Sequence, residues 1–215
     1  MALIFRHISY ITLLIFTILI NVHSAHAETD SLLLEVRKNP KDSALFNEFA
    51  NEIYKSMYNN TDLARDLSVE GLKIALQENN FHMAARLTMQ IGIAYDLKGM
   101  YDSAFHMYDE GLLIAEKHNL EKIKGDIFNN YSITLAVIGE LNESVQYALK
   151  ALDIYEKSAD SMRIAKIYNN LGARYSDMEQ REKALEFYLK ASAINASRKD
   201  NYRLAHNYGN IGLIY

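Results

Sequence analysis

From residue 43 onward, apolar side chains return at three- and four-residue steps, and a short polar stretch breaks each run. Ile164, Ile167, Tyr168, Leu171 and Tyr175 fall on one side of a helix, because such steps track its 3.6-residue turn. Glu179 to Glu182 interrupts the pattern, and Ala184, Leu185, Tyr188, Ala191 and Ile194 begin a second apolar face. Ser197 to Asp200 closes the pair. The same plan precedes it twice. One copy has Gly139 in its turn and Asn142 as the expected N-cap of the second helix; the other has Gly99 and Asp102 in those roles.

The pairs share one register of 40 residues. Gly92, Ser132, Gly172 and Gly212 form one column, and Ala64, Ala104, Ser144 and Ala184 another. Gly71, Gly111, Ala151 and Ala191 form a third, and Ile74, Ile114, Ile154 and Ile194 a fourth. A fixed period of this length means stacked supersecondary units, each burying a face on the next. Small residues at 92, 132 and 172, set against 104, 144 and 184, allow two antiparallel helices to approach closely. Residues 43–80 read as a degenerate first copy, with its second helix capped near Thr61 or Asp62. Full copies occupy 81–120, 121–160 and 161–200, and residues 201–215 open an incomplete one. Leu32, Leu33, Leu34 and Val36, ended by Asn39-Pro40, form a lead-in segment over 28–42.

The first 27 residues follow other rules. Arg6 and His7 precede an apolar run from Ile8 to Val22, and Ser24-Ala25-His26-Ala27 supplies small residues at a cleavage site. This is the order of a secretory signal, with cleavage expected after Ala27. The run is about 15 residues, short of the roughly 20 needed to span a bilayer. Removing it takes away only Arg6 among the charged residues, so the rest keeps 22 basic against 27 acidic groups. The expected location is extracytoplasmic.

Composition narrows the function classes. A net charge of -4 gives no electrostatic footprint for nucleic acid. The chain has no cysteine, which removes disulfides, thiolate chemistry and cysteine-based zinc sites. Beyond the leader the histidines are His82, His106, His118 and His206, none paired at a helical four-residue step. No metal, cofactor or catalytic set is expected, and carboxylates such as Asp109, Glu110 and Asp153 fall on predicted solvent faces. The chain's 15 tyrosines mostly occupy repeat columns, where core packing explains them.

These columns resemble the tetratricopeptide repeat: a small residue, an aromatic three later, a turn glycine, an alanine and a further aromatic. Gly92, Tyr95, Gly99, Ala104 and Tyr108 match in that order. Gly172, Tyr175, Ala184 and Tyr188 match with Glu179 in place of the turn glycine, and Ser132, Leu135, Gly139, Ser144 and Ala148 match less well. The usual period is about 34 residues. The chain is therefore similar to a long-repeat branch, with about 1.7 extra helical turns per unit. The resemblance covers residues 43–215 and implies an all-α, right-handed α-solenoid of antiparallel helix pairs whose first helices line a concave groove.

Asn129-Asn130, Asn169-Asn170 and Asn210 recur on those first helices, with Gln90 at the matching place one unit earlier. Side-chain amides both donate and accept. A row of them can hold the backbone of an extended peptide, as the resemblance implies; bonding to the neighbouring repeat is the other reading. Arg86, Asp126, Lys166 and His206 lie one turn earlier on the same helices, and Arg174 and Asp177 are further candidates. These features point to two functions. One is an exported, non-catalytic scaffold that binds a peptide or protein. The other is the sensory region of a membrane-bound bacterial signalling regulator, continued beyond Tyr215. The apolar run Ile211 to Tyr215 is also expected to be open to self-association.

Overall fold

The structure is a computed structural model, and it describes residues 29–215. The expected signal segment and its cleavage position after Ala27 lie outside these residues. Every described element is a helix. They fall into two compact units, divided between Gly99 and Met100.

In the first unit, α1 covers residues 29–38, followed by α2 (Ser43–Ser56), α3 (Thr61–Gln77) and α4 (Phe81–Leu97). Phe46, Phe49 and Ile53 of α2, Met57 just past its end, Leu67 of α3, and Met83 and Leu87 of α4 are all buried and form its core. The lead-in segment is thus helical, with Leu33 and Val36 on its buried side. A Cβ on Gly71 would lie 2.7 Å from the Phe49 ring and 3.0 Å from Leu87.

The second unit holds α5 (Tyr101–Lys117), α6 (Glu121–Val137), α7 (Leu141–Lys157), α8 (Ser161–Asp177), α9 (Arg181–Ser197) and α10 (Asn201–Gly212). Its core gathers Val145, Leu152, Ile154, Tyr155, Ile167 and Leu171, with Phe128, Tyr168 and Phe187 packed against them. The small-residue columns work as close-approach points. Ser132 and Ser144 meet through their hydroxyls at 3.1 Å, and Ser144 also donates to the Ser132 carbonyl at 2.6 Å. Gly172 lies flat under Tyr188, whose ring a Cβ would meet at 2.6 Å.

The 40-residue period is two 20-residue halves. Helices α3 to α9 are each 17 residues long. Each ends in a left-handed residue, at Asn79, Gly99, Asn119, Gly139, Ala159, Glu179 and Lys199. The next N–H then reaches back five residues, as from Asn80 to Ala75 (2.8 Å) and from Gln180 to Tyr175 (2.8 Å). This is the Schellman closure, which satisfies carbonyls the helix end leaves open.

That closure moves the caps from where the sequence pattern puts them. The residue after the left-handed one is already the N-cap, so α5, α6, α7 and α9 begin behind Met100, Leu120, Glu140 and Gln180, without a side-chain cap. Asp102 and Asn142 are not caps but sit inside the first turns. Asp102 acts there only as a negative charge near a helix N-terminus. Thr61 and Asp62 are likewise inside α3, whose cap is Asn60, accepting from the Leu63 N–H at 3.2 Å. Asx side chains cap α2, α4, α8 and α10 through Asp42, Asn80, Asp160 and Asp200.

Candidate functional site

In the second unit, α6, α8 and α10 carry the polar row, and most of its amides are engaged with the next repeat. Asn170 donates to Asn129 at 2.9 Å. Asn210 and Asn207 both donate to the Asn169 side-chain carbonyl, at 3.0 and 2.9 Å. Asn130 donates instead to the Asp126 carbonyl of its own helix at 2.9 Å. Asn129 is buried, whereas Asn130, Asn169, Asn170 and Asn210 are half-buried. The amides therefore bridge successive first helices, and each half-buried one keeps an edge toward solvent.

In the first unit Gln90 is buried and donates to the Ala50 carbonyl at 2.8 Å. Arg86 spans Asn47 (3.0 Å) and Asn51 (2.6 Å) on α2. Both side chains tie α4 to α2, a bridging geometry like that of the asparagines.

A charged cluster lies one turn before the asparagines in the second unit. Arg163 of α8 clasps Asp126 of α6 with Nε at 2.8 Å and Nη2 at 3.2 Å, and its Nη1 reaches Asp160 at 2.8 Å. The Tyr155 hydroxyl donates to the same Asp126 at 2.7 Å. A bidentate guanidinium–carboxylate pair is both strong and directional. The bond to Asp126 raises the Arg163 pKa against the opposing effect of burial. Burial, reinforced by the Asp126 charge, pushes the Tyr155 phenol well above its ordinary value. Burial opposes ionisation of Asp160, yet the Arg163 backbone N–H and guanidinium hold its carboxyl below the usual range.

Lys166 stands beside this cluster and differs from it. It is exposed and forms no salt bridge or hydrogen bond among the described residues. Surrounding protein nevertheless desolvates its ammonium enough to lower the pKa, with Asp126 opposing and Arg163 and Arg203 assisting. His206, exposed on α10, is 3.4 Å from Asn210. Arg174 is half-buried, and burial lowers its pKa against the Asp177 charge.

Several members of this region lie outside the columns that the sequence pattern singles out. Asn195 and Asn207 are both buried and bonded at 2.7 Å. Asn207 stands in the column of Leu87, Ile127 and Ile167, and Asn195 in that of Ala75, Ala115 and Tyr155. Two apolar columns turn to asparagine together, which is the signal. Arg163 and Arg203 likewise replace Met83 and Ile123 in their column, each three residues after a capping aspartate. Among the described residues no group of three metal-ligating side chains occurs, and no helix is long and apolar enough to cross a membrane.

Residues 125–197, covering α6 to α9, match the family model described as tetratricopeptide repeat. Residues 125–197 carry tetratricopeptide repeats. Solved structures agree on the fold. BtubC (BKLC) from P. vanneervenii superposes with a TM-score of 0.76 at 20% identity, covering 90% of this chain and 82% of that one. The apo form of RapI gives 0.73 at 21%, covering 89% and 69%. A signal-transduction ATPase with numerous domains from Pyrococcus horikoshii, bearing a tetratricopeptide repeat sensor, gives 0.57 at 15%, covering 83% and 31%. No curated protein matches the chain by sequence. At such identities the likeness is one of fold, an all-α solenoid of antiparallel helix pairs.

Proposed function

We propose that the protein is a non-catalytic exported scaffold whose second unit binds an extended peptide along α6, α8 and α10. The observation that carries this reading is Lys166: a charged group, exposed on α8 and without a salt bridge or hydrogen bond among the described residues, one turn before the amides Asn169 and Asn170. The Asn129–Asn170 and Asn169–Asn210 bonds fix the spacing of the row before any ligand arrives. A preorganised surface loses little entropy on binding. Asn130, Asn170 and Asn210 offer spare donors and acceptors to a peptide backbone, Lys166 offers a cation to a carboxylate, and His206 extends the row. Export rests on the leader ending at Ala27.

A second reading, the sensory region of a membrane-bound signalling regulator, draws support from the Pyrococcus horikoshii neighbour, in which such repeats are a sensor. It uses the same groove and adds an output domain beyond Tyr215.

The test is selection of peptides from a random display library against the mature chain, and then calorimetry. An enriched peptide should bind Lys166→Glu at least tenfold more weakly while that variant's melting temperature stays unchanged. Peptides that bind Lys166→Glu as well as the parent would place recognition elsewhere.

A further inference from the structure

We propose that Tyr131 and Tyr147 form an oxidative cross-linking site, at which a haem peroxidase using hydrogen peroxide joins the two rings into a dityrosine that staples α6 to α7, with Asp109 as a proton acceptor. The chain has no cysteine and no tryptophan. Tyrosine is therefore the side chain from which a single electron leaves most readily. Two departures from the repeat pattern meet at this place. Tyr131 stands in the column of Ile91, Leu171 and Ile211, and Asp109 in that of Val69, Leu149 and Leu189. A phenol and a carboxylate replace apolar side chains on successive helices, and the Tyr131 hydroxyl donates to Asp109 at 3.3 Å. Helix packing requires neither group, since the other repeats carry apolar residues at both places.

The Tyr131 and Tyr147 rings are stacked, with centres 4.3 Å apart and planes 7° apart. Burial, and then the Asp109 charge, raises the pKa of both phenols, and each hydroxyl acts on the other. Both hydroxyls thus sit at the Asp109 end of the stack, and the ring carbons beside them face one another. The outer faces are taken. Phe105 stacks on Tyr131 at 4.8 Å, and the Lys150 ammonium lies 4.1 Å from the Tyr147 ring centre. Tyr108, 5.7 Å from Tyr131, is buried and inclined by 47°. Tyr131 and Tyr147 are half-buried and Asp109 is exposed, so an oxidant reaches the pair from solvent. Neither phenol ionises near neutral pH, and each electron leaves together with its proton. Asp109 is the base in contact with Tyr131, and water takes the proton of Tyr147. The two phenoxyl radicals then form a carbon–carbon bond between the positions beside their oxygens. The hydrogens on those two carbons move to the oxygens, and both rings regain aromaticity. The two electrons and two protons reduce one hydrogen peroxide to two waters.

The test treats the dilute mature chain with a haem peroxidase and hydrogen peroxide, isolates the monomer, and maps its cross-links by mass spectrometry. Digestion after glutamate separates the two tyrosines, because Glu140 and Glu143 lie between them. The expected product joins the peptides of Tyr131 and Tyr147 with the loss of two hydrogens, at least tenfold above any other pairing within the chain. Tyr147→Phe, which brings in the residue its column has at Phe187, should lose that product. Asp109→Asn should form it at least tenfold more slowly, and both variants should keep the parent's circular dichroism. Coupling through the exposed Tyr58, Tyr202, Tyr208 and Tyr215 without a Tyr131–Tyr147 product, or a Tyr108–Tyr131 product in its place, overturns the proposal. So does an Asp109→Asn chain that couples at the parent's rate. The site shares no residue with the Lys166 row, so the two readings stand or fall separately.

Discussion

Gly172→Ala adds one methyl group where α8 meets the Tyr188 ring of α9. A Cβ there would stand 2.6 Å from Cδ1, 2.7 Å from Cε1 and 3.0 Å from Cγ of Tyr188, whereas ordinary contact begins at 3.4 Å. The ring is 5% exposed and belongs to the core, so it cannot swing into solvent. Helices α8 and α9 must therefore part by about 1 Å, or Tyr188 must leave its rotamer, and overpacking of this kind costs about 1–3 kcal/mol. Alanine's better helix propensity returns about 1 kcal/mol. The net expectation is a loss of about 0–2 kcal/mol, which for a chain of this size lowers Tm by up to about 8 °C. The assay is thermal and urea unfolding monitored by circular dichroism at 222 nm. Gly209→Ala is the matched control, because nothing lies within 4 Å of its Cβ position and the helix-propensity gain should appear alone. A double-mutant cycle with Tyr188→Leu should show the Gly172→Ala cost shrinking by at least about 0.5 kcal/mol, the mark of residues in contact. If Gly172→Ala stabilises the chain as much as Gly209→Ala does, the close approach at this position is refuted.

The same geometry predicts three further outcomes. Ala159, Glu179 and Lys199 hold left-handed backbones that cost an L-residue about 1–2 kcal/mol, so glycine at each should raise Tm, and a fall would deny the Schellman turns. Arg163→Met leaves Asp126 and Asp160 without their guanidinium; the pair is about one quarter exposed, so the loss should be about 1–2 kcal/mol in urea unfolding, less than for a fully buried pair. An unchanged midpoint would show the cluster to be ornamental. Tyr155 has its pKa raised by folding, so its contribution is complete below pH of about 10 and is lost as pH rises above that. Tyr155→Phe should flatten the alkaline arm of the stability–pH curve, and an unaltered slope would contradict the burial argument.

Much of the fold was legible because a repeat states its pattern several times. The glycine, alanine and isoleucine columns place the helix pairs, and Gly99 and Gly139 mark two of the turns. The breaks at Glu179 and at Ser197 to Asp200 were legible as polar stretches, but the left-handed backbone at Asn79, Asn119, Ala159, Glu179 and Lys199 was not, because these residues adopt the glycine conformation without being glycine. Helix closure on carbonyls three and five residues back holds them there, against the conformational preference of the single residue. The misplaced caps at Asp102 and Asn142 have the same origin. The polar row was visible as a column, but its geometry was not. Whether an amide points to a groove or to a neighbour depends on the stagger of α6, α8 and α10, which no single column encodes. Asn195 with Asn207, and Asp126 with Arg163, pair across 12 and 37 residues and emerge only once the helices are stacked.

The groove itself is tested most directly by titrating a selected peptide into the isotopically labelled mature chain and mapping amide and side-chain resonance shifts by NMR. The account predicts that the largest shifts fall on Lys166, Asn170, His206 and Asn210, with the outer residues Leu149, Lys150, Leu189 and Lys190 of α7 and α9 unmoved. Shifts concentrated on α7 and α9, with the Lys166 row silent, would contradict it.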